Sequence, residues 1–196
     1  MSDVLIFDTT KPSYGLESIK TKEPIIFKLV SKNDSILKEV LPEFNFSNPP
    51  VNPNAFASSL VETCKKLNGL GLSANQCGFK HRVFVMGSGE EYVAFFNPKI
   101  IWQSDNKVDL AEGCLSFPGL GLHIKRPESI EAEYYDFNGV KRVIKLSGMS
   151  ARCFQHELDH MNGIVYTERV GTVKLQMALS KQKKNMRKLK EKFKEI

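Results

Sequence analysis

The segment Gln155-His156-Glu157-Leu158-Asp159-His160 sets two histidines four positions apart, with a glutamate after the first. On a helix, residues i and i+4 share a face. Two imidazoles beside a carboxylate then point to a divalent metal with a base next to its water. A catalytic metal usually takes three protein ligands and keeps one position for water, so the segment is incomplete alone. A further histidine soon after His160 would supply one known solution, but the chain continues Met161-Asn162-Gly163-Ile164-Val165-Tyr166 and holds no later histidine. Glu168 is too close along the chain to fold back as a ligand, and Glu191 lies in a basic tail. Upstream, Glu112-Gly113-Cys114-Leu115-Ser116 offers a thiol next to a Pro118-Gly119 turn. A thiolate there would complete a Cys-His-His set, although a cysteine taken alone is more often a small buried hydrophobe.

These residues need elements to hold them. Ser147 as cap and Asn162-Gly163 as stop predict a helix through Met161 that carries both histidines. Asn52-Pro53 opens an earlier helix from Asn54 to about Leu67, with Phe56, Leu60, Cys64 and Leu67 on one face and Asn68-Gly69 ending it. Between the two lie strand candidates: Arg82–Met86, Tyr92–Phe96, Lys99–Gln103, then Ser129–Tyr135 and Arg142–Leu146 joined through Asn138-Gly139. Pro24–Phe27 and Ile164–Tyr166 read as short strands. From about Thr172, Leu175, Leu179, Met186, Leu189, Phe193 and Ile196 recur at helical spacing. The expected class is α+β: antiparallel sheets packed around a central metal-binding helix, with a basic C-terminal helix. Gly69, Gly71 and Ala74 also match the glycine pattern of dinucleotide-binding turns. That pattern needs a strand in front, and here a helix precedes it, so nucleotide binding is set aside.

Bulk properties exclude other classes. The 196 residues, 41% hydrophobic, suit one globular unit with a core. No apolar run approaches the ~20 residues of a membrane span. The start, MSDVLIFDTT, has an early acid and no basic or long apolar region, so a signal peptide is not expected. Cys64, Cys77, Cys114 and Cys153 then read as thiols or ligands in a cytoplasmic protein. From Lys174 onward the chain carries nine basic and two acidic residues, against a net charge of +6 for the whole. The basic character therefore sits in the tail.

Three segments together resemble the peptide deformylase family, in that family's order: Gly69-Leu70-Gly71-Leu72-Ser73-Ala74-Asn75-Gln76, then Glu112-Gly113-Cys114-Leu115-Ser116, then Gln155–His160 with Gly163 behind it. The resemblance covers roughly residues 25–170 and departs at Ser73, where the family usually has alanine. It implies a unit over 26–171, an N-terminal extension over 1–25 and the basic helix over 172–196. It implies one divalent metal on Cys114, His156 and His160: Fe(II) first, with Zn(II) or Ni(II) accepted in purified protein. The metal would lower the pKa of a bound water, giving hydroxide as nucleophile. Glu157 would be general base and then general acid. Gln76 through its side-chain amide and Leu115 through its backbone N–H would hold the oxyanion. The substrate would be the formyl group on the first methionine of a nascent peptide, released as formate. The peptide would lie along Leu70 and Gly71 like an added strand, with Gly113 keeping backbone close. Met149 and Cys153, at helical spacing before His156, would line the slot for the methionine side chain. The basic amphipathic helix by itself reads as a solvated face packed on the body, a membrane-surface binder or an RNA binder; the resemblance favours the ribosome, with no membrane partner. A metallopeptidase, or a binding module that kept this fold without catalysis, are the competing readings.

Overall fold

A computed structural model describes residues 23–192 and side chains as far as residue 187. Residues 1–22 of the expected N-terminal extension lie outside the described residues, as do Phe193, Ile196 and the side chain of Leu189.

The first helix, α1 (Pro53–Lys66), starts where Asn52 Oδ1 accepts from Ala55 N at 2.9 Å and Pro53 occupies the first helical position. It ends where Asn68 turns left-handed at φ 54° and Gly69 N bonds back to Cys64 O at 3.0 Å, a helix stop that leaves few carbonyls unpaired. Five strands form one antiparallel sheet in the order β1 (Gly71–Ser73), β2 (Val83–Ser88), β3 (Glu91–Gln103), β6 (Ser129–Tyr135), β7 (Lys141–Ser147). Strands β4 (Lys107–Glu112) and β5 (Leu122–Pro127) pair as a separate hairpin. Helix α2 (Gly148–Met161) follows β7, and α3 (Thr172–Lys192) closes the chain.

The sheet is covered on both faces, which explains the unbroken apolar run of β2. Val83 and Val85 pack with Phe56, Leu60 and Cys64 of α1. Phe84 and Met86, pointing the other way, pack with Phe154, Leu158 and Met161 of α2. Burying each such side chain stabilises the fold by about 1.5–3 kcal/mol. Helix α2 is buried from Ser150 to Met161. Its apolar stripe, Ala151, Phe154, Leu158 and Met161, sits on the sheet. The opposite stripe is polar: Arg152, His156, Asp159 and His160 are also buried. The C-terminal carbonyls of α2 are satisfied from outside, His160 O by Asn75 Nδ2 at 2.9 Å and Met161 O by Arg82 at 3.1 Å.

Several expected elements change form. Tyr92–Phe96 and Lys99–Gln103 are one strand, β3, whose register shifts once across left-handed Asn97 and the following Pro98 and again between Ile100 and Trp102. Pro24–Phe27 is not a strand. It runs beside α1, where Ile25 N donates to Ser59 Oγ and Phe27 N to Thr63 Oγ1. Ile164–Tyr166 leads into a single 3-10 turn, Tyr166–Arg169. The Ser147 side chain makes no capping bond. Among the described residues, no helix is long and apolar enough to cross a membrane.

Candidate active site

Strand β1 is the outermost strand of its sheet. Its free edge faces a cleft of about 700 Å³, whose far wall is the segment from Ala111 to Gly121 and whose floor is α2. Every residue singled out in the sequence lies on this cleft or directly behind it. Leu70, Gly71 and Gln76 line one side, Gly113, Cys114 and Leu115 the other, and Met149, Cys153, His156 and Glu157 the floor. His160 is reached through Cys114, whose Sγ lies 3.4 Å from His160 Nε2.

The Cys114 sulfur and one ring nitrogen each of His156 and His160 all lie within 4.8 Å of one another. Tetrahedral bonds of about 2.0–2.3 Å place ligand atoms about 3.6 Å apart, so small movements close the three donors on one ion. The surroundings suit one. Burial, with the charges of His156 and Arg126, lowers the His160 pKa well below its usual value, and a neutral imidazole is the ligating form. Burial also works to lower His156, but bonds to Cys114 and Glu112 outweigh it and raise its pKa to about 10, so an ion would have to displace its proton. His156 Nδ1 is held by Glu112 Oε2 at 3.0 Å, which leaves Nε2 for the cleft. A carboxylate behind a histidine ligand fixes its tautomer and ring plane.

Glu112 is itself held in place. Arg126 grips it with Nε at 2.6 Å and a terminal nitrogen at 2.9 Å, and Arg152 adds a bond at 2.8 Å. Burial works to raise its pKa, but bonds from His156, Arg126 and Arg152 outweigh it and hold the carboxyl at about 2. Arg126 also binds Asp159 at 2.7 Å, and Asp159 binds Arg169. Arg152 reaches Val108 O and Ile124 O, tying both strands of the hairpin to α2. Glu112 carries no assigned role in the sequence reading although it opens its motif. Asp159 likewise sits unassigned inside its motif, and for Arg126 and Arg152 the sequence offers no signal beyond charge.

Glu157 is buried, and its Oε2 is one of two buried side-chain atoms without a hydrogen-bond partner among the described residues; the other is His160 Nδ1. Burial pushes the Glu157 carboxyl up to about 7, with the charge of His156 pulling the other way. Gly71 makes room for it. A Cβ at Gly71 would stand 2.5 Å from Glu157 Oε1 and 2.9 Å from Cys153 Sγ. The glycine is therefore required by the side chains beneath it, besides any ligand above.

Gln76 sits on a 3-10 turn, Ala74–Cys77, ended by left-handed Gly78. Its Oε1 accepts from Ser73 N and Ser73 Oγ, each at 3.0 Å. The amide nitrogen must then face the cleft, where it lies 2.9 Å from Ser116 Oγ and 3.4 Å from Cys114 Sγ. The Ser73 backbone N–H orients this amide, and the buried Ser73 hydroxyl is shared between Gln76 Oε1 and Asn75 Oδ1.

A Cys-His-His group that could hold a metal, a buried carboxylate with one unpartnered oxygen and a donor amide on a sheet-edge cleft are the parts of a metal-assisted hydrolase. The chain belongs to the polypeptide deformylase family, whose model matches residues 26–176. A peptide deformylase of Wolbachia sp. subsp. Brugia malayi (strain TRS) is 39% identical over 140 residues, covering 65% of this chain and 78% of that one. The structure of an Ehrlichia chaffeensis peptide deformylase in complex with actinonin matches with a TM-score of 0.73 at 35% identity, over 82% of this chain and 98% of that one. A Met-Ala-Ser-bound class I type b peptide deformylase from Acinetobacter baumannii matches with a TM-score of 0.70 at 26% identity, over 74% and 99%.

Proposed function

We propose that this chain removes the N-formyl group from the first methionine of newly made polypeptides and releases formate. The observation that carries the reading is the convergence of Cys114, His156 and His160 beside Glu157, whose Oε2 has no hydrogen-bond partner among the described residues. These three residues would hold one divalent ion. When bound, it supplies a Lewis acid that lowers the pKa of water and polarises the formyl oxygen. Thiolate and imidazole donors suit Fe(II), Zn(II) and Ni(II) alike; we assign Fe(II) as the working metal.

The side chains then divide the chemistry. A substrate extended along the free edge of β1 would bond to backbone at Leu70 and Gly71, with Gly113 opposite. Its methionine side chain would enter the floor between Met149 and Cys153. Glu157, with a pKa about 7, takes the proton from the attacking water and returns it to the leaving amine. The formyl carbon gains one oxygen and loses the peptide nitrogen, giving formate and a free α-amine. The Gln76 amide N–H and the Leu115 backbone N–H donate to the oxygen that becomes negative. Nascent chains are the natural source of such substrates, and the exposed basic residues of α3 would dock on ribosomal phosphates. Four free thiols fit a cytoplasmic setting.

Glu157→Ala tests the assignment. Metal per chain stays at the wild-type value, and formate release from a formyl-methionyl peptide falls by about 10²–10⁴-fold. Turnover near wild type in a metal-loaded Glu157→Ala protein would remove Glu157 from the mechanism.

A further inference from the structure

The outer wall of the cleft, Phe117 to Gly121, belongs to no strand or helix. Its shape comes from tight turns, with Phe117 N bonded to Cys114 O at 2.9 Å and Leu120 N to Phe117 O at 3.2 Å. Two of its five residues are glycines. Gly119 is left-handed at φ 74°, and a Cβ at Gly121 would meet nothing within 4 Å. Such a segment has little to keep it in place by itself. Its support comes from behind. Tyr166 donates its hydroxyl to Leu120 O at 2.8 Å. Gln182 of α3 donates its amide to Pro118 O at 2.7 Å. Gln182 Cγ and Met186 Sδ lie just under Gly119, 3.9 and 3.8 Å from where a Cβ would stand.

Leu175, Leu179, Gln182 and Met186 recur at four, three and four positions, so they share one face of α3. Leu175 and Leu179 pack on the cluster of Leu120, Leu122, Ile124, Val165 and Tyr166. Lys174, Lys181, Lys183, Lys184 and Arg187 are exposed. The C-terminal helix is thus seated against the back of the substrate wall.

We infer that Gln182 is a positioning residue for the peptide substrate: by holding Pro118 O it fixes the outer wall of the cleft. The inference rests on the deformylase reading only in taking the cleft's occupant to be a peptide. The two histidines are anchored separately, through Glu112 and the body of α2, and Cys114, which meets the wall at Phe117 N, is also held by the Gln76 amide on its other side. Loosening the wall therefore raises the cost of ordering the site around a peptide and leaves the reacting groups where they are.

The test uses the full-length, metal-loaded protein and formyl-Met-Ala-Ser. Gln182→Ala and Gln182→Glu, which lack the donor, raise KM by about 3–10-fold, the range of one neutral hydrogen bond, with kcat within about twofold of wild type. Gln182→Lys, which keeps a donor of similar reach, restores KM. Ser180→Ala, exposed on the same helix, has no effect. Unchanged KM in both donor-free variants, or a fall in kcat that tracks lost metal, overturns the inference. If the wild-type protein releases no formate, the deformylase reading fails by itself. The wall is then read from the affinity of the tripeptide Met-Ala-Ser by calorimetry. A 3–10-fold weaker affinity in Gln182→Ala supports the inference, and equal affinity overturns it.

Discussion

Glu112 lies outside the proposed ligand set and touches it. Two arginines and His156 converge on its carboxylate. Removing the charge leaves Arg126 and Arg152 buried with too little compensation, a loss of about 3–5 kcal/mol, and frees His156 to rotate. In Glu112→Gln, metal affinity is expected to fall about 10–100-fold, read by competition with a chelator; wild-type affinity would show that Glu112 does not orient His156. The same carboxylate shapes acid stability. Its folded pKa, about 2, lies below the ordinary 4.5. Its stabilisation, on the order of 3 kcal/mol, is therefore complete above about pH 4.5 and is lost as pH falls toward 2. The wild-type protein is expected to lose stability steeply over that window and Glu112→Gln to lose less, measured by denaturant melts at each pH. The HExxH pair, Cys114 and Gln76 stand out in the sequence because their types and spacing are chemically unusual. The charges that hold them do not, since Arg126 and Asp159 resemble surface residues until the hairpin folds over α2.

At the scale of elements, the site depends on how closely β1 approaches α2. Gly71→Ala would drive a methyl group into Glu157 and Cys153. A displacement of Glu157, the proposed base, by about 1 Å can cost about 100-fold in rate, so kcat is expected to fall by that order while the metal is retained. A rate within twofold of wild type would mean that Glu157 moves aside harmlessly. Asn52→Ala removes the cap of α1, and is expected to lower stability by about 1 kcal/mol without changing kcat, by thermal melt and formate assay. Helix α1 and the β6–β7 hairpin are legible in the sequence because Asn52-Pro53 and Asn138-Gly139 are strong local signals. Strand β1 is hidden, being three residues inside a glycine-rich motif and defined only by pairing with β2. The β4–β5 hairpin alternates, with Val108 and Leu110 facing one way and Leu122 and Ile124 doing the same in the partner strand. Its connection is the long cleft wall instead of a tight turn, so no hairpin signal marks it.

Taken whole, the molecule brings three elements to one cleft. In the proposed reading helix α2 would carry the chemistry and the β1 edge would receive the peptide, while α3 packs behind the cleft wall and turns a basic face outward. The overall α+β layout follows from local patterns, but the burial of both stripes of α2 does not, because a helix this polar reads as half-exposed until its salt bridges form. Replacing Lys181, Lys183, Lys184 and Arg187 with glutamate is expected to abolish sedimentation with ribosomes. It should leave formate release from short peptides within about twofold, and the wild-type association should weaken steeply with salt. Unchanged sedimentation would detach α3 from that role. The account stands most directly on one titration. Fe(II) is added anaerobically to metal-free protein while formate release from a formyl-methionyl peptide is followed, with the product mass checked for intact peptide bonds. The expected result is a linear rise in activity that breaks at one metal per chain, with loss of the formyl group as the only change in the peptide. Full metal loading with no formate, or cleavage within the peptide, would contradict it.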